Sequence, residues 1–176
     1  AQGSVIALGY DFTVAEPGRC DPRQVGVVFE LPADADMLSW RRRGDWGYYP
    51  DDHIGRPEGT ARAFTDPKSL CGLAGPRVEP DWPWKDDANR HGTNDFRSTK
   101  RHILEASLAN DRGVGVRVLS GGTQHVRAWV DAGRVRLLVA DYTNEGAAPF
   151  FSEHVIPRRP LEPGSRVGGM VRFEVW

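Results

Sequence analysis

Hydrophobic and polar positions alternate with a period of two over much of this chain, which is the signature of strands with one buried face. Val114-Gly-Val-Arg-Val-Leu119 alternates apolar with small or polar residues, and His125-Val-Arg-Ala-Trp-Val130 does so again. Val135-Arg-Leu-Leu-Val-Ala140 runs back, and Gly168 to Trp176 sets Val171, Phe173 and Val175 against Met170, Arg172, Glu174 and Trp176. Gly121-Gly122 and Asp131-Ala-Gly133 supply turns between these runs. Towards the other end, Val5 to Val14 and Val25 to Leu31 are rich in β-branched and aromatic residues and predict two more strands. Pro32 with Asp34 and Asp36 closes the second of them. Short strands at regular spacing, separated by glycine turns, predict an antiparallel β-sandwich.

Two segments depart from this pattern. Arg97 to Leu108 places Ile103, Leu104 and Leu108 on a helical stripe with Ser98 as an available N-cap, so the residues alone fit a helix as well as a strand. Residues 62–96 are long, polar and irregular, which marks either a functional or a packed loop.

Composition narrows the function classes. The 176 residues suit one domain, residues 1–176. A formal net charge of −1 offers no basic excess for a phosphate backbone, so nucleic acid is not an expected partner. Arg41-Arg42-Arg43 is too short for such a patch and predicts a solvated strand edge. No apolar run approaches the roughly 18 residues of a membrane helix, no leader-type segment is recognisable, and no membrane partner is expected. Cys20 and Cys71 are the only cysteines. They are read as two thiols or as one disulfide, and the compartment stays undecided. Neither a zinc spacing nor a phosphate loop nor a GxSxG elbow is present, so no metal and no cofactor is expected.

The candidate chemistry lies in Leu38 to Arg56. This segment holds four aromatics, four arginines and three carboxylates in 19 residues. Trp46, Tyr48 and Tyr49 fit a platform for the C–H face of a sugar ring, with Asp51, Asp52, His53 and Arg56 reading hydroxyls. The competing reading seals the sandwich edge with the aromatics and uses the two aspartates as turn caps after Pro50. A second polar patch, Asn94, Asp95 and Arg97, with His125 and Arg127 on a later strand, is either hydroxyl-reading or turn chemistry with an Asp95–Arg97 salt bridge. The saccharide-binding candidates are therefore Trp46, Tyr48, Tyr49, Asp52, His53, Arg56, Asp95 and Arg97. No pair among the 24 acidic residues stands out as a glycosidase acid and base, and no catalytic residue is assigned.

Several phrases, in order, resemble the C-terminal domain of family 2 glycoside hydrolases of the β-galactosidase type. They are Leu38-Ser-Trp40, Trp46 with Tyr49-Pro-Asp-Asp-His-Ile-Gly-Arg56, Asn94-Asp-Phe-Arg-Ser-Thr-Lys100, Gln124-His-Val-Arg127, Leu137-Leu-Val-Ala-Asp-Tyr142, Phe150-Phe151 and Val171-Arg-Phe-Glu-Val-Trp176. The resemblance implies a galactose-mutarotase-like sandwich of the supersandwich type, here shorter than the family's full domain. It implies extended chain running into a strand across Arg97 to Leu108. It places the catalytic carboxylates on a separate α/β barrel outside these residues, which makes the barrel a partner and this chain a non-catalytic carbohydrate-binding or scaffolding domain. The alternatives are an autonomous carbohydrate-binding module and a purely structural buttress. In the best-known members a Trp-bearing loop reaches the sugar site, but no Trp lies between Tyr142 and Pro163 here. A shortened sandwich exposes a strand edge, which favours pairing with another copy.

Overall fold

The computed structural model describes residues 4–15, 22–44, 56–63, 87–88, 96–143 and 160–176. Ten strands run through them: β1 (Ile6–Thr13), β2 (Gln24–Leu31), β3 (Met37–Arg42), β4 (Glu58–Ala63), β5 (Asp87–Ala88), β6 (Ile103–Ala109), β7 (Gly115–Leu119), β8 (His125–Asp131), β9 (Arg134–Thr143) and β10 (Arg166–Val175). No helix occurs among the described residues. The strands form a seven-stranded sheet, β1-β10-β7-β6-β3-β4-β5, and a three-stranded sheet, β2-β9-β8. Every pairing is antiparallel.

The period-two pattern explains how the sheets meet. On β9, Val135, Leu137 and Val139 are at most 1% exposed, while Arg136 between them reaches Glu30 and Asp131. On β3, Leu38 and Trp40 are buried and Arg41 is exposed. Leu108, Val118, Val126 and Val171 complete one core with these residues, so both sheets contribute to it. Phe29 of β2 meets Phe173 of β10 edge-on at 4.8 Å across the layers. Burying each such side chain stabilises the fold by roughly 1.5–3 kcal/mol. The fold is thus an all-β, two-sheet antiparallel sandwich.

The hairpin β8–β9 closes on Ala132 and Gly133, both at positive φ (48° and 72°), with Asp131 paired to Arg134. That is the two-residue geometry whose twist matches its strands. The β6–β7 turn is organised by Asn110. Its Oδ1 accepts from the amides of Arg112 and Val114, and its Nδ2 donates to Asp34.

One open reading is resolved and one expectation is corrected. The stripe of Ile103, Leu104 and Leu108 allows a helix, but Ile103–Ala109 is β6, an interior strand between β3 and β7, as the extended chain implied by the resemblance requires. Ile103, Ala106 and Leu108 are completely buried there, so tertiary burial overrides local helix propensity. Ser98 caps nothing; its Oγ and carbonyl accept bonds from Lys100 Nζ. Nor do Arg41 and Arg42 lie on a sheet edge. They end β3, which β4 and β6 flank. Arg41 faces solvent and pairs with Glu105 across the β3–β6 ladder.

β1 is one edge of the larger sheet, with β5 at the other. It pairs only with β10, and Ile6, Leu8 and Phe12 remain 48%, 41% and 50% exposed. The larger sheet therefore extends past the smaller one on this side.

Candidate functional site

Of the expected saccharide residues, Trp46, Tyr48, Tyr49, Asp52, His53 and Asp95 lie outside the described residues, as do Asp51, Cys20 and Cys71. Arg56 and Arg97 are described. The Arg56 guanidinium carbon sits 4.9 Å from the centre of the Trp40 ring, and Nη2 donates to the Thr60 carbonyl. The Arg56 carbonyl accepts from Trp40 Nε1 at 3.3 Å and from Arg42 Nε at 3.1 Å. Arg97 is buried, beside the fully enclosed Phe96.

Trp40 also carries a second cation. Lys100 Nζ stands 4.5 Å from its ring centre, and the residue is 0% exposed. Its ammonium bonds Ser98 Oγ at 2.8 Å and the Ser98 carbonyl at 3.0 Å. The Lys100 backbone pairs with Val126 of β8 through bonds of 2.7 and 2.9 Å, so this residue ties the segment before β6 to the smaller sheet. Two cations on one indole, each with further hydrogen bonds, hold the ring firmly. Arg127 lies over Trp129, with its Cζ 5.4 Å from the ring centre.

A second polar assembly lies on the opposite flank of β8. β7 pairs with β10 only from Arg172 to Val175, so β10 loses its β7 neighbour before Arg172. Gln124 takes the vacated position: its Nε2 donates to the Met170 carbonyl at 3.2 Å and to Asp141 Oδ2 at 3.1 Å. Tyr10 of β1 donates its hydroxyl to the same Oδ2 at 2.5 Å. Burial, then the hydrogen bond and negative charge of Asp141, holds the Tyr10 phenol well above its usual range, so it stays a donor. Both bonds fall on Oδ2. Leu119, Ser120, Gly121, Thr123, Gln124, Asp141, Met170 and Arg172 enclose a concavity of about 350 Å³ here. Ser120 Oγ is buried and has no hydrogen-bond partner among the described residues.

Next to Gln124, His125 receives the His102 amide on Nδ1 at 3.2 Å, which puts its proton on Nε2. His102 Nδ1 lies 3.2 Å from the Gly122 carbonyl, which can only accept, so that nitrogen is protonated. Burial first, then the charges of His102 and Arg101, lower the His125 pKa to about 4. His102 adopts φ = 56°, a conformation that costs a non-glycine residue.

Asp141, Gln124, Tyr10, Ser120 and Arg172 were not among the residues expected from sequence. The available signal was Asp141 itself, an acid ending the apolar run Val135 to Ala140. Among the described residues, no group of three His, Cys, Asp or Glu could hold a metal ion, and no helix is long and apolar enough to cross a membrane. No protein-family model matches the chain, and neither does any curated protein.

Proposed function

We propose that this chain is a non-catalytic, carbohydrate-binding domain of a β-galactosidase-like glycoside hydrolase, built on a galactose-mutarotase-like sandwich. The observation that carries this reading is where the family-like phrases fall. Leu38-Ser-Trp40 is the buried centre of β3, Leu137 to Tyr142 the body of β9, and Val171 to Val175 the end of β10. Three of the phrases that carry the resemblance thus fall on strands of the sandwich, in order. Saccharide is the expected ligand, with Trp46, Tyr48 and Tyr49 as stacking rings and Asp52, His53, Arg56, Asp95 and Arg97 as polar contacts. The catalytic barrel of the parent chain is the expected partner.

The test has two arms. Trp46→Ala and Tyr49→Ala weaken saccharide binding by on the order of 1 kcal/mol while the fold persists; early melting of both variants with no folded protein to titrate makes these residues core instead. Purified chain gives no turnover of a chromogenic aryl β-galactoside, because retaining hydrolysis needs two carboxyls about 5–5.5 Å apart across a cleft. Turnover lost in an Asp51→Asn/Asp52→Asn variant overturns this reading.

A second reading, a scaffold that buttresses the barrel, is favoured by the exposed apolar side chains Ile6, Leu8 and Phe12 on β1.

A further inference from the structure

We propose that the notch where β7 leaves β10 is a binding subsite for one neutral sugar unit, separate from the aromatic segment Trp46 to Arg56. The inference rests on the carbohydrate reading above and assigns it a second location. Four features of the notch point to this ligand class.

Its charge is the first. Asp141 and Arg172 both line the concavity, so its lining holds one carboxylate and one guanidinium and no net formal charge. An anion would meet Asp141 and a metal ion would meet Arg172, with only one carboxylate to hold it. A neutral molecule with several hydroxyls can donate to the first group and accept from the second.

Pre-organisation is the second. Tyr10 and Gln124 both donate to Oδ2 of Asp141, which fixes the carboxylate before any ligand arrives. Oδ1 makes no hydrogen bond to a described residue, so an acceptor already held in place remains for a ligand hydroxyl.

The third is Thr123. It is exposed and lines the concavity, and its hydroxyl, both donor and acceptor, suits a ligand hydroxyl in either role.

Shape is the fourth. About 350 Å³ falls at the small end of ligand-pocket volumes, and Leu119 and Met170 add apolar wall for the C–H side of a ring.

The experiment titrates the full chain with methyl β-galactopyranoside, methyl β-glucopyranoside and, as a zwitterionic control, free serine, following backbone amide shifts by NMR. The parent chain is expected to show saturable shifts at Ser120, Gly121, Thr123 and Met170 with a glycoside and none with serine. Asp141→Asn and Arg172→Gln should each weaken that binding about ten- to a hundredfold, the range of a hydrogen bond to a charged group. The Arg172 side chain is exposed, while its backbone holds the ladders to Ala7 and Leu119, so its variant separates lost binding from lost folding if Asp141→Asn melts early. Glycoside binding that both variants retain, with shifts elsewhere, overturns the notch and leaves the carbohydrate reading standing. No glycoside binding by the parent overturns both. Serine binding at the notch without glycoside binding also overturns the proposal.

Discussion

The carboxylate of Asp141 on β9 occupies the space that a side chain on residue 169 of β10 would need. A Cβ built on Gly169 collides with all three carboxylate atoms. Glycine is thus the residue that lets the smaller sheet place an acid against the larger one, within reach of Tyr10 and Gln124.

Gly169→Ala should therefore push Asp141 off its two donors. The expected loss is about 1–3 kcal/mol of stability, the usual cost of overpacking, read from denaturant midpoints. In an Asp141→Ala background the same substitution should cost much less, because the obstacle is gone. Equal costs in both backgrounds would show that the two positions are not coupled.

Lys100→Ala should destabilise the fold by about 2 kcal/mol or more. The substitution removes a desolvated cation from the Trp40 face and leaves the Ser98 oxygens without that donor. Thermal melts compared with Arg41→Ala, an exposed cation on the same sheet, supply the check. Equal effects would mean that the buried ammonium contributes no more than a surface charge.

Stability should fall as pH drops from 6.5 towards about 4, with His125 one contributor. The folded state resists protonating this imidazole, through burial and the charges of His102 and Arg101, against which Asp141 pulls the other way. The unfolded chain binds the proton first, so stability from this residue is complete above 6.5 and lost as pH falls through the folded pKa. His125→Gln should flatten the pH dependence of the melting temperature within that window. An unchanged slope would remove His125 from the account.

Leu8→Lys should leave stability within about 0.5 kcal/mol, since Leu8 is 41% exposed, while reducing concentration-dependent self-association along β1. Sedimentation across a concentration series is the measurement. A parent chain that stays monomeric throughout would show that this edge does not pair.

Much of the fold was legible because alternation is a local signal. β1, β2, β7, β8, β9 and β10 fall where the runs of Val, Leu and Phe put them, and the Asp131-Ala-Gly133 turn closes as its residues predict. β6 was ambiguous because Ile103, Leu104 and Leu108 satisfy both periods; only its place between β3 and β7 decides. β3 and β4 went unread because arginines, Trp40 and glycine break the alternation there. The notch was hidden for a different reason. Tyr10 and Asp141 are 131 positions apart, and no local spacing announces a bond between them. The Trp40 stack is similar: a lysine 60 positions later reads as surface charge until it is found fully enclosed.

The pairing of β1 with β10 also sets a timetable for synthesis. Ile6 aligns with Phe173 and Thr13 with Arg166, so β1 leaves the ribosome roughly 160 residues ahead of its ladder partner. At 5–20 residues per second that interval is roughly 8–30 s. Throughout it Ile6, Leu8 and Phe12 travel without their neighbour strand, and the smaller sheet of β2, β9 and β8 can close before that strand arrives. Holding that strand apart from other polypeptides until β10 emerges is work for a chaperone, and a pause in translation ahead of Arg166 lengthens the exposure.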